Sequence, residues 1–225
     1  MNIEENLNRI KKNIAKDITL VAVSKTKPIE DIKKAYELGH RDFGENKVQE
    51  LIDKEESLPN DIRWHFIGNL QTNKVKYLVD KVYLIHSLSS KKLLKKIEEE
   101  FSKKNSVANL LIQINIGKEE SKGGIFEEDL EDFIFEIEKC KYIKIKGLMA
   151  IIPKGNVEEN RYYFKKMRIL FNDLSIKQYK NIKMEFLSMG MTNDFETALE
   201  EGSNLIRIGE GIFGKRNIVG GMTNG

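Results

Sequence analysis

The sequence holds a single cysteine, Cys140, in 225 residues. That excludes an intramolecular disulfide and suits a reducing compartment. Its place after the helical run 133–139 marks a helix-end or core thiol rather than a nucleophile. No apolar stretch approaches membrane-spanning length, and the acidic N-terminus lacks the apolar core of a signal peptide. A soluble, cytoplasmic protein with no membrane partner is therefore expected. There are only three prolines, and no proline- or serine-rich run offers an interdomain linker. His40, His65 and His86 show no metal-ligand spacing, so no metal site is expected. Charge of one sign is missing as well: 38 Lys and Arg stand against 35 Asp and Glu, a net charge of +3. With no aromatic-basic platform beside that near balance, a nucleic-acid partner is not expected.

What is present is one alternating pattern. At 40% hydrophobic residues the chain can bury one sizeable core, whereas two full domains would be cramped. An amphipathic segment at 2–16 carries Ile3, Leu7, Ile10 and Ile14 on one face. Short apolar runs follow at 19–23, 41–43, 63–67, 81–85, 108–114, 146–149, 184–188 and 205–208. Helical stretches at 29–38, 48–56, 73–78, 90–103, 126–139, 158–173 and 194–201 separate them. The last of these has Asn193 as N-cap candidate, Glu196 for a capping box and Gly202 as terminator. Eight strand candidates separated by helices match an α/β fold, a single (β/α)8 TIM barrel with an additional N-terminal helix; such barrels run to about 250 residues. A doubly wound open sheet is the structural alternative. The barrel is expected to span 1–216, with 217–225 as a glycine-rich, frayed tail.

The chemistry gathers at strand ends. Alternation puts Val21, Val23 and Lys25 on one inward face, which leaves Lys25 at the C-terminal rim where barrels place active groups. An amine at an apolar rim loses its proton more cheaply and can form a Schiff base with an aldehyde. Lys27, one step further out before Pro28, is the nearest rival. After the seventh strand, Ser188-Met189-Gly190-Met191-Thr192-Asn193 offers a glycine turn with short polar side chains before a helix. After the eighth, Gly209 and Gly211 flank Glu210. Loops after strands seven and eight often bind phosphate in barrels. An amine facing two such turns describes a site for a phosphorylated aldehyde, pyridoxal 5'-phosphate (PLP) above all. The run 209–214 also fits a dinucleotide glycine pattern, but too little chain follows it for the rest of that unit.

Other candidates surround this set. Arg207 points inward and could meet a ring nitrogen of the cofactor, or serve a buried structural ion pair. Asn46 could contact the ring, or stabilise its own turn. Lys122, in the polar loop after the fifth strand, could guard the pocket or receive the cofactor transiently; a solvated lysine is the plainer reading.

Taken together, these motifs resemble the pyridoxal phosphate homeostasis protein family, the YggS/PROSC-like proteins related to the barrel domain of alanine racemase. The segments that carry the resemblance run in order along nearly the whole chain. They are 22–28, 43–46, 65–68, 147–149, 188–191, 207–209 and 212–214. The resemblance implies that Lys25 carries PLP as a Schiff base, that Ser188 and Gly209 bind its phosphate, and that Arg207 lies near the pyridine nitrogen. The expected cofactor-binding set is Lys25, Asn46, Ser188, Met189, Gly190, Arg207, Gly209 and Glu210. Many family members have Thr or Ser where this chain has Glu210, so that hydroxyl contact is absent; the carboxylate should turn away while its backbone N–H contributes.

The resemblance further implies a non-enzymatic protein that holds PLP and supplies it to apo-enzymes by transient contact; a monomer is expected. The alternatives are a weak PLP-dependent amino-acid racemase and a Schiff-base sugar-phosphate aldolase. A racemase of the related fold adds a β-rich domain with a catalytic tyrosine, for which this sequence leaves no room.

Overall fold

The computed structural model describes residues 2–119 and 122–215. Eight parallel strands close into a barrel in sequence order: β1 (Thr19–Val23), β2 (Asp42–Glu45), β3 (Arg63–Phe66), β4 (Leu84–Leu88), β5 (Ala108–Ile114), β6 (Ile143–Ala150), β7 (Ile182–Ser188) and β8 (Leu205–Ile208). β8 pairs with β1, so the sheet has no edge. The helices are α1 (Ile3–Lys12), α2 (Ile29–Glu37), α3 (Val48–Glu55), α4 (Lys91–Ser102), α5 (Leu130–Glu138), α6 (Val157–Ser175), α7 (Phe195–Glu200) and α8 (Glu210–Phe213). Closure decides against the open sheet. The tail expected at 217–225 lies outside the described residues.

The strands are short apolar runs because both faces are covered. Their outward residues, such as Ala22, Phe43, Phe66, Leu110 and Ile206, join the helices in one large core. The apolar residues on the inward face form a separate small cluster of Val21, Leu84, Leu111, Met149 and Leu205. Much of the remaining interior is polar, a point taken up below.

α1 has a structural reason. α8, at four residues, is too short to cover the wall between β8 and β1. α1 packs against α2 and α8 instead, burying Ile3, Leu7 and Ile10. Asn2 caps it by accepting from the Glu5 amide, and the Asn6 side chain donates to the Ile212 carbonyl at 3.1 Å.

Several expectations shift. The fourth strand begins at Leu84 rather than 81, because 80–81 still belong to the preceding turn: Asp80 has φ +64 and the Lys81 amide donates to the Leu78 carbonyl. β6 is longer than the apolar run 146–149 and carries a register shift at Gly147. The stretches at 73–78 and at the start of 126–139 are 3-10 turns (Thr72–Tyr77 and Glu127–Asp129). Asn193 is not the cap of α7: Asp194 holds that position, and its carboxylate accepts from the Met191 amide at 2.6 Å. Cys140 is buried beyond α5; burial first, then Glu98, pushes its thiol up to about 11. No helix among the described residues is long and apolar enough to cross a membrane.

Leu7 is fully buried, so Leu7→Ala should cost about 2–4 kcal/mol of stability, read from urea unfolding. An unchanged midpoint would mean that α1 is an ornament rather than part of the wall.

Candidate functional site

Lys25 lies one residue past the buried Ser24 that ends β1's extended run, half-buried on the C-terminal rim. Its neighbours in the wall are β2 and β8, so Asn46 flanks it on one side and Gly209 on the other. β8 approaches β1 closely there. A Cβ on Gly209 would sit 3.1 Å from the Val23 carbonyl oxygen and 3.2 Å from its Cβ.

A buried ionic cluster on the outer side of the wall fixes the Lys25 segment. Ser24 donates its hydroxyl to Glu45 Oε1 at 2.6 Å. Lys54, from α3, donates to the same oxygen at 2.7 Å, to the Ser24 carbonyl at 2.8 Å and to Glu50 at 2.7 Å. Glu50 also accepts from the Thr26 amide at 2.5 Å, and Thr26 has φ +63. Both neighbours of Lys25 are thus tied to one ammonium group. Burial raises the Glu45 carboxyl above its usual range, with Lys54 working against that shift.

The rival lysines are otherwise engaged. Lys27 Nζ donates to the carbonyls of Phe213, Gly214 and Lys215 at 2.9, 3.1 and 3.3 Å, tying the chain after α8 to the β1–α2 loop. Lys122 donates to the Ile152 carbonyl at 2.8 Å and pairs with Glu119. The loop it belongs to is stapled by Asn115, whose amide donates to the carbonyls of Glu119 and Lys122.

The two glycine turns meet as expected. Gly190 has φ +92, and a Cβ there would lie 2.6 Å from Ala198 Cβ, so both the turn and the seat of α7 require glycine. The Gly211 amide lies 3.4 Å from Thr192 Oγ1, which joins the turn after β7 to the start of α8. Glu210 is exposed at that start, and the first amides of a helix lack intrahelical acceptors. Met189 follows Ser188, with its side chain fully buried in the outer core and its amide donating to the Leu205 carbonyl at 3.2 Å.

Ser188 and Arg207 form the inner part. Arg207 is buried and donates to the Ser188 carbonyl (2.9 Å), the Ser188 hydroxyl (2.5 Å) and the Ala150 carbonyl (3.0 Å). No carboxylate touches it among the described residues, so the structural ion pair is not what holds it. Burial brings its guanidinium down to about 10, still a cation at neutral pH.

Sequence reasoning missed what lies behind Ser188. Its hydroxyl is 3.1 Å from His86 Nδ1. His86 Nε2 is 2.9 Å from His65 Nδ1, and His65 Nε2 is 2.9 Å from Asp42 Oδ1. Arg63 closes the line by pairing with Asp42 at the opposite rim. Burial holds Asp42 up, but the bonds from Arg63 and His65 outweigh it and keep the carboxyl below its usual range. Burial lowers His65 and His86, the latter well below the ordinary value. The signal was available in the strand alternation, which sends His65 and His86 inward on adjacent strands.

The residues fit a phosphorylated pyridine aldehyde on one further observation. Asn46 Oδ1 is buried and has no hydrogen-bond partner among the described residues. An orphaned acceptor beside an amine suits a ring hydroxyl, which would satisfy it.

Two outcomes follow from the buried charges. Lys54→Met leaves Glu45 unpaired and should destabilise the fold by about 3 kcal/mol, with Glu45→Gln added to it restoring part; additive losses in urea unfolding would contradict the pairing. All three histidines are buried with lowered values, His40 at about 4. The unfolded chain therefore takes up more protons as the pH falls below about 6.5. Stability should be full near pH 7 and drop by about 1.4 kcal/mol per pH unit for each histidine still neutral in the fold. A flat unfolding free energy between about pH 7 and 5.5 would contradict this.

Comparison with known proteins agrees with this geometry. The family model described as alanine racemase, N-terminal domain, matches residues 1–217. A pyridoxal phosphate homeostasis protein of Aquifex aeolicus is 43% identical, covering 96% of this chain and 99% of its own length. That of Haemophilus influenzae is 40% identical over 96% of this chain and 97% of its own. PipY of Synechococcus elongatus, solved with PLP bound, superposes with a TM-score of 0.87 at 32% identity, covering 95% of this chain and all of its own. With a closed barrel, an inward rim lysine and relatives of this identity along its length, the chain belongs to the pyridoxal phosphate homeostasis protein family, within the alanine racemase N-terminal domain group.

Proposed function

We propose that this protein binds pyridoxal 5'-phosphate as a Schiff base on Lys25 and holds it for delivery to apo-enzymes. The observation that carries the reading is Lys25 itself. It stands on the rim beside Asn46, whose buried Oδ1 has no hydrogen-bond partner among the described residues, and next to β8, the strand that carries the inward Arg207. The relatives named for PLP homeostasis and the PLP-bound neighbour support the same ligand.

Each residue has a part. Lys25 supplies the nucleophilic amine, and the Ser24–Lys54 cluster fixes its backbone. Asn46 accepts from the ring hydroxyl. The turns at Gly190 and Gly209, with the Glu210 amide, receive the phosphate. Ser188 and Met189 shape that turn from below, one bonded to Arg207 and the other packed in the core. Arg207 faces the pyridine nitrogen. The bound cofactor supplies an electrophilic aldehyde and a ring able to withdraw electrons. A cation that keeps the ring nitrogen unprotonated weakens that withdrawal, which suits storage better than catalysis.

Borohydride reduction of the PLP-treated protein, followed by peptide mass spectrometry, should place a pyridoxyl group on Lys25. Lys25→Ala should lose that group and the visible band while unfolding within about 1 kcal/mol of the parent. The PLP-loaded protein should then activate a PLP-dependent apo-enzyme. A label confined to Lys27 or Lys122, or no label at all, would contradict the assignment. Turnover of an amino acid by the loaded protein would favour the racemase reading.

A further inference from the structure

The line from Arg207 to Arg63 runs through the barrel from one rim to the other, and its proton positions can be derived from its ends. Asp42 is a carboxylate and can only accept, so His65 Nε2 carries a proton and donates to it. Burial keeps His65 neutral, so its Nδ1 is bare. His86 Nε2 must then be the donor across the 2.9 Å contact. His86 is neutral in turn, which leaves Nδ1 as acceptor for the Ser188 hydroxyl at 3.1 Å. With its proton committed, Ser188 Oγ meets Arg207 Nη1 as acceptor only, at 2.5 Å. Only one set of directions satisfies every contact.

We propose that Asp42, His65 and His86 are positioning residues for the cofactor site, forming with Ser188 a one-directional hydrogen-bond chain that holds the buried Arg207 guanidinium in place toward the cofactor ring. This rests on the PLP reading for the ligand, though not for the chain itself. Each dipole in the line turns its negative end to Arg207 and its positive end to Asp42. The carboxylate charge at one rim thereby polarises the hydroxyl that receives the guanidinium near the other. The three bonds to Ser188 and Ala150 leave Arg207 Nε and one proton of Nη2 outside them, available to a ring nitrogen. The arrangement also explains why Ser188 cannot turn its hydroxyl to a phosphate without breaking the line. Its contribution to the cofactor is through Arg207.

The first test is made on the full chain without PLP. Long-range proton–nitrogen correlation spectra of uniformly labelled protein should show His65 and His86 neutral, each with its proton on Nε2. A proton on Nδ1 of either ring, or a doubly protonated ring at neutral pH, would overturn the direction of the chain. The second test is made with PLP. Asp42→Asn removes the charge and sets an amide donor against Arg63 or His65, on the far rim from Lys25. It should weaken PLP retention about fivefold or more and shift the visible band of the bound cofactor, while excess PLP still labels Lys25. Asp61→Asn, an exposed change of the same kind on the same rim, should do neither. Equal retention and an equal band in Asp42→Asn would overturn the positioning role. Should that variant fail to fold, Arg63→Met keeps the carboxylate and removes its exposed partner. The Nε2 signals of His65 and His86 should then move together, and movement of one alone would break the chain. Failure of the unaltered protein to take up PLP would overturn the cofactor reading and with it the role of Arg207. The imidazole tautomers would still decide the chain.

Discussion

A guanidinium enclosed in a parallel barrel must find acceptors there, and that requirement organises the interior of this molecule. A buried cation without partners costs several kcal/mol, and no carboxylate among the described residues touches Arg207. Its charge is met by two backbone carbonyls and one hydroxyl. The hydroxyl is in turn held by His86, then His65, then Asp42. The apolar cluster inside the barrel is small for this reason: Val21, Leu84, Leu111, Met149 and Leu205 share the space with a polar column. Remove the column's far anchor and the cation loses the group that fixes its acceptor.

A second network lies on the other side of the same wall. Ser24, Glu45, Glu50 and Lys54 form an ionic knot between β2 and α3, and the knot grips the backbone on both sides of Lys25. The rim amine is therefore set from outside the barrel and the guanidinium from inside it. At the same rim Asn46 keeps a buried acceptor that no described residue satisfies. A site held this way by two rigid shells is prepared to bind, with little rearrangement left for the ligand to drive.

How much of this was legible in the sequence depended on which force dominated each segment. Where apolar residues dominate a strand, as in Thr19–Val23 and Ala108–Ile114, the run and the strand coincide, because burial sets the limits. β4 ends three residues beyond its expected limit, since its second half contains His86 and Ser87, polar residues that only a polar interior accommodates. α8 has four residues, too few to show a period. The placement of Lys25, Gly190 and Gly209 at the rim could be found from strand ends and turns. So could the outward turn of the Met189 side chain, one residue past the inward Ser188. Spacing along the chain tests the histidines only as metal ligands. Their spacing excludes that use and says nothing about a hydrogen-bond column, whereas their shared inward face on neighbouring strands does.

The most direct measurement is a crystal structure of the protein grown with PLP. The account predicts continuous density from Lys25 Nζ to the cofactor, with the ring hydroxyl on Asn46 Oδ1, the phosphate on the turns at Gly190 and Gly209, and Arg207 beside the ring nitrogen. PLP bound away from Lys25, or seated with Arg207 still turned from the ring, would contradict it.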